Sequence, residues 1–201
     1  MGSFYDLLKR RRAVRSYTGE RVPRETLERI VRAARRGPNA GYSQGLRLLV
    51  VDDPDVIDGL VDSDADEREQ AWFRKAAAHV FVLTREQDYH DRYTRPDKLA
   101  ITGGVEVVWP VPFWHVDAGA ALMLLWLAAL EEGLGVGVYG VPVEEDAHVR
   151  QLLGIPDDLT IVTGVTVGHP APDPDWDRAS SAFSQRRRSH DEVVQWNRWS
   201  S

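Results

Sequence analysis

The stretch Phe113–Glu131, FWHVDAGAALMLLWLAALE, decides the fold class of this chain. It predicts one long central helix, and beyond Asp117 that helix is apolar on all sides rather than along one stripe. A helix of that kind has to be covered by other elements or by a partner subunit. Its apolar run, Ala118 to Leu130, is shorter than the roughly 20 residues that span a bilayer. We therefore expect a buried helix and no association with a membrane.

The segments on either side of this helix predict an α+β domain. Apolar runs predict buried strands, with a glycine-rich strand or loop as a fourth element, at Leu46–Val51, His79–Leu83, Leu159–Val167 and Gly135–Val141. Helical spacing of apolar residues predicts further helices from Phe4, at Pro23–Arg36, at Asp66–Ala77 and at Glu144–Leu153. Residues 85–112 are the least regular stretch. We expect one domain over residues 1–201, with a central mixed or antiparallel sheet flanked by helices and an extended C-terminal arm at 184–201.

Composition and charge exclude several classes of function. The chain has 201 residues, a net charge of −6 and no cysteine. Disulfides, thiolate catalysis and cysteine-bound metals are therefore excluded, and broad nucleic-acid binding is not expected. No signal-peptide pattern opens the chain, which favours the cytoplasm. Basic residues nevertheless cluster at Lys9–Arg15 and Arg186–Arg188, and two such clusters suit an anion of phosphate size.

Four segments, taken in order, resemble the FMN-dependent nitroreductase family. They are Arg11–Tyr17 (RRAVRSY), Pro38–Gln44 (PNAGYSQ), the stretch from Asp117-Ala118-Gly119-Ala120 through Glu132–Gly135 to Tyr139-Gly140, and Val167–Pro170 (VGHP). Two departures from the family pattern stand out. Ala13 replaces the usual serine, and Gly45-Leu46 replace Pro-Trp after Gln44.

The resemblance implies a fold, a cofactor and a reaction. It implies a nitroreductase-like homodimer whose C-terminal arm is swapped between subunits, with FMN held at the interface. It further implies ping-pong hydride transfer from NAD(P)H to a small planar organic acceptor such as a nitroaromatic or a quinone. The cofactor then carries the chemistry and the protein supplies position and electrostatics, so no dedicated catalytic acid or base is expected.

The resemblance also assigns cofactor-binding residues, whose types suit a flavin. They are Arg11, Arg12, Ala13, Arg15, Pro38, Asn39, Ala40, Gln44, Val138, Tyr139, Gly140, Arg186 and Arg188. Arginine suits the phosphate because it is always charged and binds oxyanions through two hydrogen bonds. Arg15 is expected near N1 and O2 of the ring, where a cation stabilises the reduced flavin. Amides of Asn39 and Gln44 match the pyrimidine edge, and glycines near Gly140 permit close approach of the ring.

Aromatic residues before and within the start of the central helix are expected to bind the substrate. They are Tyr89, Tyr93, Phe113, Trp114 and His115, whose flat side chains suit a planar molecule above the flavin. Asp117 is a candidate N-cap for a helix starting at Ala118. No His-Glu-x-x-His or comparable spacing indicates a metal site.

Simpler interpretations stay open at several of these positions. The arginines of residues 10–12 can be a solvated helix end, and Arg15 can form a surface ion pair with Glu20. Asn39 can serve the turn alone, and the glycines from Gly133 can serve tight strand packing. Two other functions also remain open: a flavin-dependent dehydrogenase or oxidase of a small metabolite, and a non-catalytic dimer that binds a flavin or another ligand.

Overall fold

The computed structural model describes residues 3–172 and 188–199. The chain forms one compact unit that ends at Ala171 and a second unit that begins at Pro172. The first unit is built on four strands, β1 (Leu46–Val51), β2 (Ala78–Thr84), β3 (Gly135–Tyr139) and β4 (Thr160–Gly168). Their order is β1-β2-β4-β3, and every neighbouring pair is antiparallel. The α+β class is confirmed, and the sheet is antiparallel rather than mixed.

Within residues 3–172 and 188–199, eight α-helices belong to the first unit and one to the second. They are α1 (Phe4–Arg10), α2 (Arg24–Ala34), α3 (Pro54–Asp58), α4 (Glu67–Lys75), α5 (Gln87–Tyr93), α6 (Pro96–Leu99), α7 (Phe113–Glu131), α8 (Val143–Leu153) and, in the second unit, α9 (His190–Val193). The bounds of α7 and β1 match the sequence prediction. Two short helices, α5 and α6, occupy the stretch that the sequence left irregular. Their seven and four residues are too few to show an apolar period.

The sheet buries a different hydrophobic cluster on each face. Alternate residues of β2 point to opposite faces, so Val80 and Val82 pack with α2 and α7, whereas Phe81 and Leu83 pack with α3 and α8. All seven residues of β2 are buried as a result. This explains why five of its seven residues are apolar; the other two, His79 and Thr84, are polar but buried.

Helix α7 is the central helix, but its own chain covers it only in part. It packs on α2 and on the sheet through Ala118, Ala121 and Leu125. A stripe along another side stays partly open: Val116 is 49% exposed and Met123 38% exposed. By length and composition α7 could cross a membrane, but a core helix meets the same criteria, so this is weak evidence.

The expectation for Asp117 is wrong. Helix α7 begins at Phe113, after Pro112, so Asp117 lies inside the helix and does not cap it. Its side chain is buried and accepts hydrogen bonds from outside the helix. A residue that sequence reasoning assigned to a local role therefore has a tertiary one.

The described part of the second unit is short and mostly exposed. Ser189 and Glu192 form a capping box around α9, because the Glu192 carboxylate accepts from the Ser189 main-chain N–H at 2.6 Å. Val193, Trp196 and Trp199 expose large apolar surfaces. Arg188 is also exposed, whereas Arg186 lies outside the described residues.

Candidate functional site

The first group of predicted site residues is the basic segment, Arg11–Arg15, which lies along β3. Ala13 forms a parallel bridge with Val136, and the Val14 N–H donates to the Val136 carbonyl at 2.8 Å. The close approach requires Gly137, since a Cβ there would lie 2.6 Å from the Val14 carbonyl oxygen and 2.6 Å from Thr166 Oγ1. Main-chain pairing therefore fixes the position of the basic segment.

Two arginines of the basic segment stack on tryptophans. The Arg11 guanidinium lies 5.0 Å from the centre of the Trp126 ring on α7, and that of Arg15 lies 5.3 Å from the Trp72 ring on α4. The Trp72 indole N–H in turn donates to Thr166 Oγ1 at 2.9 Å. A cation over an aromatic face keeps its charge, so the two tryptophan rings hold positive charge beside the basic segment.

The end of β3 carries Tyr139 and Gly140, two of the predicted cofactor-binding residues. The Tyr139 ring packs into the face opposite α7, beside Phe73 and Phe81. Its hydroxyl donates to His79 Nδ1 at 2.9 Å, because His79 Nε2 carries the hydrogen that is donated to the Phe73 carbonyl at 3.1 Å. Burial lowers the pKa of His79 to about 4 and raises the pKa of Tyr139. A Tyr139 side chain fixed in the core holds its main chain in place.

Gly140 follows Tyr139 and is open to approach. It is exposed, and no atom of the chain lies within 4 Å of the position that a Cβ would occupy. The Tyr139 carbonyl is already bound by the Thr163 hydroxyl at 2.7 Å. Tyr139 and Gly140 also line a cavity of about 100 Å³ on the α8 side of the sheet, with Glu145, whose pKa is raised chiefly by burial.

The second group is the amide loop, Pro38–Gln44, which has a strained backbone. Gly41, Tyr42 and Gln44 have φ values of 59°, 61° and 58°. This left-handed region is sterically unfavourable for residues other than glycine, such as Tyr42 and Gln44. Two hydrogen bonds hold this shape: Asn39 Oδ1 accepts from the Gln44 N–H at 2.7 Å, and Arg92 Nε donates to the Gly41 carbonyl at 2.8 Å. Strain that surrounding contacts maintain is typical of binding sites.

Side chains from α5 and α7 anchor the amide loop. Asp117 Oδ2 accepts from the Ala40 N–H at 2.9 Å and from the Tyr89 hydroxyl at 2.7 Å. A Cβ at Gly45 would collide with the Tyr89 ring, and one at Gly41 would lie 2.6 Å from Tyr93. Gly45 stands where the family pattern has proline, and the position of Tyr89 accounts for that departure. Sequence reasoning missed Asp117 and Arg92 as supports, since their partners are far away along the chain.

A cavity of about 420 Å³ opens beside the amide loop. Its wall includes three predicted cofactor residues, Pro38, Asn39 and Gln44, together with Arg35, Asp117 and Ala121. The cavity is large enough for a ring-sized ligand, and its walls carry amide, guanidinium and carboxyl groups.

The predicted substrate residues divide into buried and accessible ones. Tyr89 has no exposed surface and Trp114 is buried, so both lie in the core, in departure from the sequence expectation. Phe113 and His115 are exposed, and Tyr93 is half-buried with its ring 4.6 Å from that of Trp109. The accessible aromatic surface therefore comes from Tyr93, Phe113 and His115.

The basic segment and the amide loop do not meet within one chain. Trp126, under Arg11, and Asp117, under Ala40, are nine residues apart on α7, or about 13 Å at roughly 1.5 Å per residue. The two groups of candidate residues therefore lie toward opposite ends of the same helix. In the stretches that the structure describes, no group of three His, Asp or Glu side chains is placed to hold a metal ion.

Comparison with known proteins shows the family to which the chain belongs. The family model described as the nitroreductase family matches residues 8–169. An NADH dehydrogenase/NAD(P)H nitroreductase of Archaeoglobus fulgidus is 29% identical over 181 residues, which cover 88% of this chain and 91% of that protein. The FMN reductase [NAD(P)H] of Bacillus subtilis is 30% identical, covering 80% of this chain and 63% of its own length. Human iodotyrosine deiodinase 1 is 27% identical, with coverages of 84% and 61%.

Solved structures share the fold. Nitroreductase A of Vibrio parahaemolyticus superposes with a TM-score of 0.73 at 23% identity, covering all of this chain and 78% of that one. An FMN-dependent nitroreductase of Clostridium difficile gives 0.69 at 19% identity, covering 98% and 100%. Since the family model spans most of the chain from α1 to the end of β4, the chain belongs to the nitroreductase family.

Proposed function

We propose that this protein is a homodimeric, FMN-dependent oxidoreductase that passes electrons from NAD(P)H to a small planar organic acceptor such as a nitroaromatic or a quinone. The observation that carries the proposal is the division of the candidate site into two halves at opposite ends of α7. The names of the relatives, NAD(P)H nitroreductase and FMN reductase, support the choice of cofactor and electron donor.

A dimer would join the two halves. The open stripe of α7, Val116, Ala120, Met123 and Leu127, follows helical spacing and is apolar throughout. If two copies pair along this stripe with antiparallel helices, the Asp117 end of one α7 lies beside the Trp126 end of the other. The amide loop of one subunit then faces the basic segment of its partner. A two-fold axis makes two equivalent sites in this way.

The residues present fit an FMN at such a site. Arg11 and Arg12 are exposed cations for the phosphate, whose charge of roughly −2 requires compensation. Gly140 gives a ring open access to the end of β3. Asn39 and Gln44 offer amides at the wall of the 420 Å³ cavity. The donor set thus supplies cations for one end of the cofactor and amides for the other.

The chain's own residues would bind and orient, and the cofactor would supply the electron transfer. When bound, FMN would supply two-electron transfer between NAD(P)H and an acceptor. Arg15, held by Trp72, would stabilise the negative charge of the reduced ring. Tyr93, Phe113 and His115 would flank a planar substrate and keep water away from it.

The C-terminal residues would complete the dimer. The exposed Val193, Trp196 and Trp199 need an apolar surface to pack on, and the partner subunit provides one. In this arrangement residues 184–201 form an arm that brings Arg186 and Arg188 to the shared site, as part of a single domain over residues 1–201. We also propose a cytoplasmic location.

Anaerobic titration of the purified protein tests the proposal. We expect a dimer by size-exclusion chromatography with a flavin absorbance spectrum that NADH or NADPH bleaches. Quinones, nitroarenes or, given the iodotyrosine deiodinases among the relatives, a halogenated tyrosine should restore the spectrum. Bleaching by an organic metabolite and recovery with oxygen alone would favour an oxidase. Colourless protein that does not retain added FMN would favour a non-catalytic binding dimer.

A matched pair of variants tests the role of charge. Arg15→Gln should lower the reduction potential of bound flavin, whereas Arg21→Gln, at an exposed position outside the basic segment, should not change it. Equal potentials in the two variants would contradict the placement of Arg15 near the ring.

A further inference from the structure

Asp117 uses only one of its two carboxyl oxygens to anchor the amide loop. The Ala40 N–H and the Tyr89 hydroxyl both donate to Oδ2. Among residues 3–172 and 188–199, no hydrogen bond reaches the other oxygen, Oδ1. Asp117 is only 6% exposed. Oδ1 nevertheless keeps some accessible surface, since it is not among the fully covered side-chain atoms without a partner. Asp117 is one of the residues that line the 420 Å³ cavity, and a further donor to its carboxylate would come from that cavity.

The carboxyl group cannot easily turn to satisfy Oδ1 within the protein. One donor to Oδ2 is main chain and the other is a tyrosine without exposed surface, so both directions are fixed. An acceptor on a largely buried side chain with no donor from the protein loses free energy unless water or a ligand donates to it. The open oxygen therefore calls for a donor from the cavity.

We infer that Asp117 Oδ1 accepts a hydrogen bond from an N–H or O–H group of the ligand in this cavity, and so selects for ligands with a donor at that point. The inference rests on the proposed function for the identity of the ligand. The donor can belong to the flavin ring, which has one N–H at N3 when oxidised, or to the organic substrate. In either case one residue both shapes the amide loop and recognises the ligand.

The substitution Asp117→Asn inverts the chemistry at this point. The Ala40 N–H can only donate, so the amide oxygen has to take the place of Oδ2. The amide nitrogen then replaces Oδ1 and presents a donor to the cavity. Tyr89→Phe is the matched control, since it removes one donor to Oδ2 and leaves Oδ1 in the cavity.

Two pairs of probes distinguish the sources of the donor. FMN is compared with 3-methyl-FMN in binding to apoprotein, by flavin fluorescence. In the holoprotein, 4-nitroaniline is compared with N,N-dimethyl-4-nitroaniline by perturbation of the flavin spectrum. In the wild type we expect the N–H member of one pair to bind about tenfold more tightly, a typical value of one buried hydrogen bond. Asp117→Asn should abolish that preference, and Tyr89→Phe should retain it.

The outcomes separate this inference from the proposed function. A preference in the flavin pair assigns Oδ1 to the cofactor, and a preference in the nitroaniline pair assigns it to the substrate. No preference in either pair for the wild type would overturn the inference, even if Asp117→Asn does not fold. The same holds if Asp117→Asn keeps the wild-type preference. Failure of wild-type protein to bind FMN or to accept electrons from NAD(P)H would instead overturn the proposed function.

Discussion

The basic segment and the amide loop are held in place by different means. Main-chain pairing with β3 fixes the basic segment, and a glycine at position 137 makes that pairing possible. The amide loop has no strand to pair with. Side chains from other helices, Asp117, Tyr89 and Arg92, hold its positive φ values instead.

This difference predicts how each half tolerates substitution. A segment fixed by main-chain pairing depends little on its own side chains and strongly on the space beside the strand. A loop fixed by side chains depends on several single hydrogen bonds, each of modest value. One substitution that fills the space beside β3 should therefore displace the whole basic segment. A substitution that removes one hydrogen bond of the amide loop should change the shape of that loop only slightly.

The largest effect is expected from Gly137→Ala. The added methyl group would lie 2.6 Å from the Val14 carbonyl oxygen, which forces the basic segment away from β3. We expect the free energy of unfolding in urea to fall by about 3 kcal/mol, the upper end of typical overpacking, and FMN retention to be lost. Gly119→Ala is the control, because its methyl group meets no atom of its own chain within 4 Å. Equal stability of the two variants would show that main-chain pairing with β3 does not determine where the basic segment lies.

The next effect is the loss of stability in acid that arises from His79 on β2, whose ring is hydrogen-bonded to the Tyr139 hydroxyl. Its pKa is lowered to about 4 in the folded protein, chiefly by burial, from about 6.5 in the unfolded chain. Between these values the unfolded chain binds more protons, so stability falls as the pH drops from 6.5 to 4, by roughly 2–3 kcal/mol. Below pH 4 the folded protein takes up the proton as well, and this contribution levels off.

Urea unfolding at several pH values, with His79→Gln beside the wild type, measures this contribution. His90, whose pKa is raised chiefly by Glu106, is present in both proteins and cancels in the difference. The difference in stability between wild type and variant should shrink as the pH falls through this window. A difference that does not vary with pH would mean that His79 gains solvent or a partner in solution.

The smallest effect is expected from Tyr89→Phe, which tests the amide loop. It removes one of the two hydrogen bonds to Asp117 Oδ2 and keeps the ring that packs on Gly45. We expect the free energy of unfolding to fall by about 1 kcal/mol without loss of the fold. Tyr5→Phe, on an exposed side chain, should have no effect. A loss as large as that of Gly137→Ala would remove the distinction between the two halves.

Much of the fold could be predicted from local patterns. The bounds of α7 and β1 follow from their apolar runs, because an element that is buried on several sides has consecutive apolar residues. The basic segment and the amide loop were found through resemblance rather than through periodicity. The short helices α5 and α6 were missed because they are too short to show an apolar period, and α5 in addition packs on the amide loop through Tyr89 and Tyr93.

The sequence by itself determined the α+β class, the central helix, and the residue types able to bind a flavin. Only the tertiary structure decided that the two groups of candidate binding residues lie toward opposite ends of α7, and that Asp117 joins Ala40, 77 positions away, to Tyr89. The physical reason is the range of the interactions. Helix and strand periodicity appears in residues that are neighbours in the chain. A hydrogen bond between distant segments produces no such pattern in the sequence around either partner.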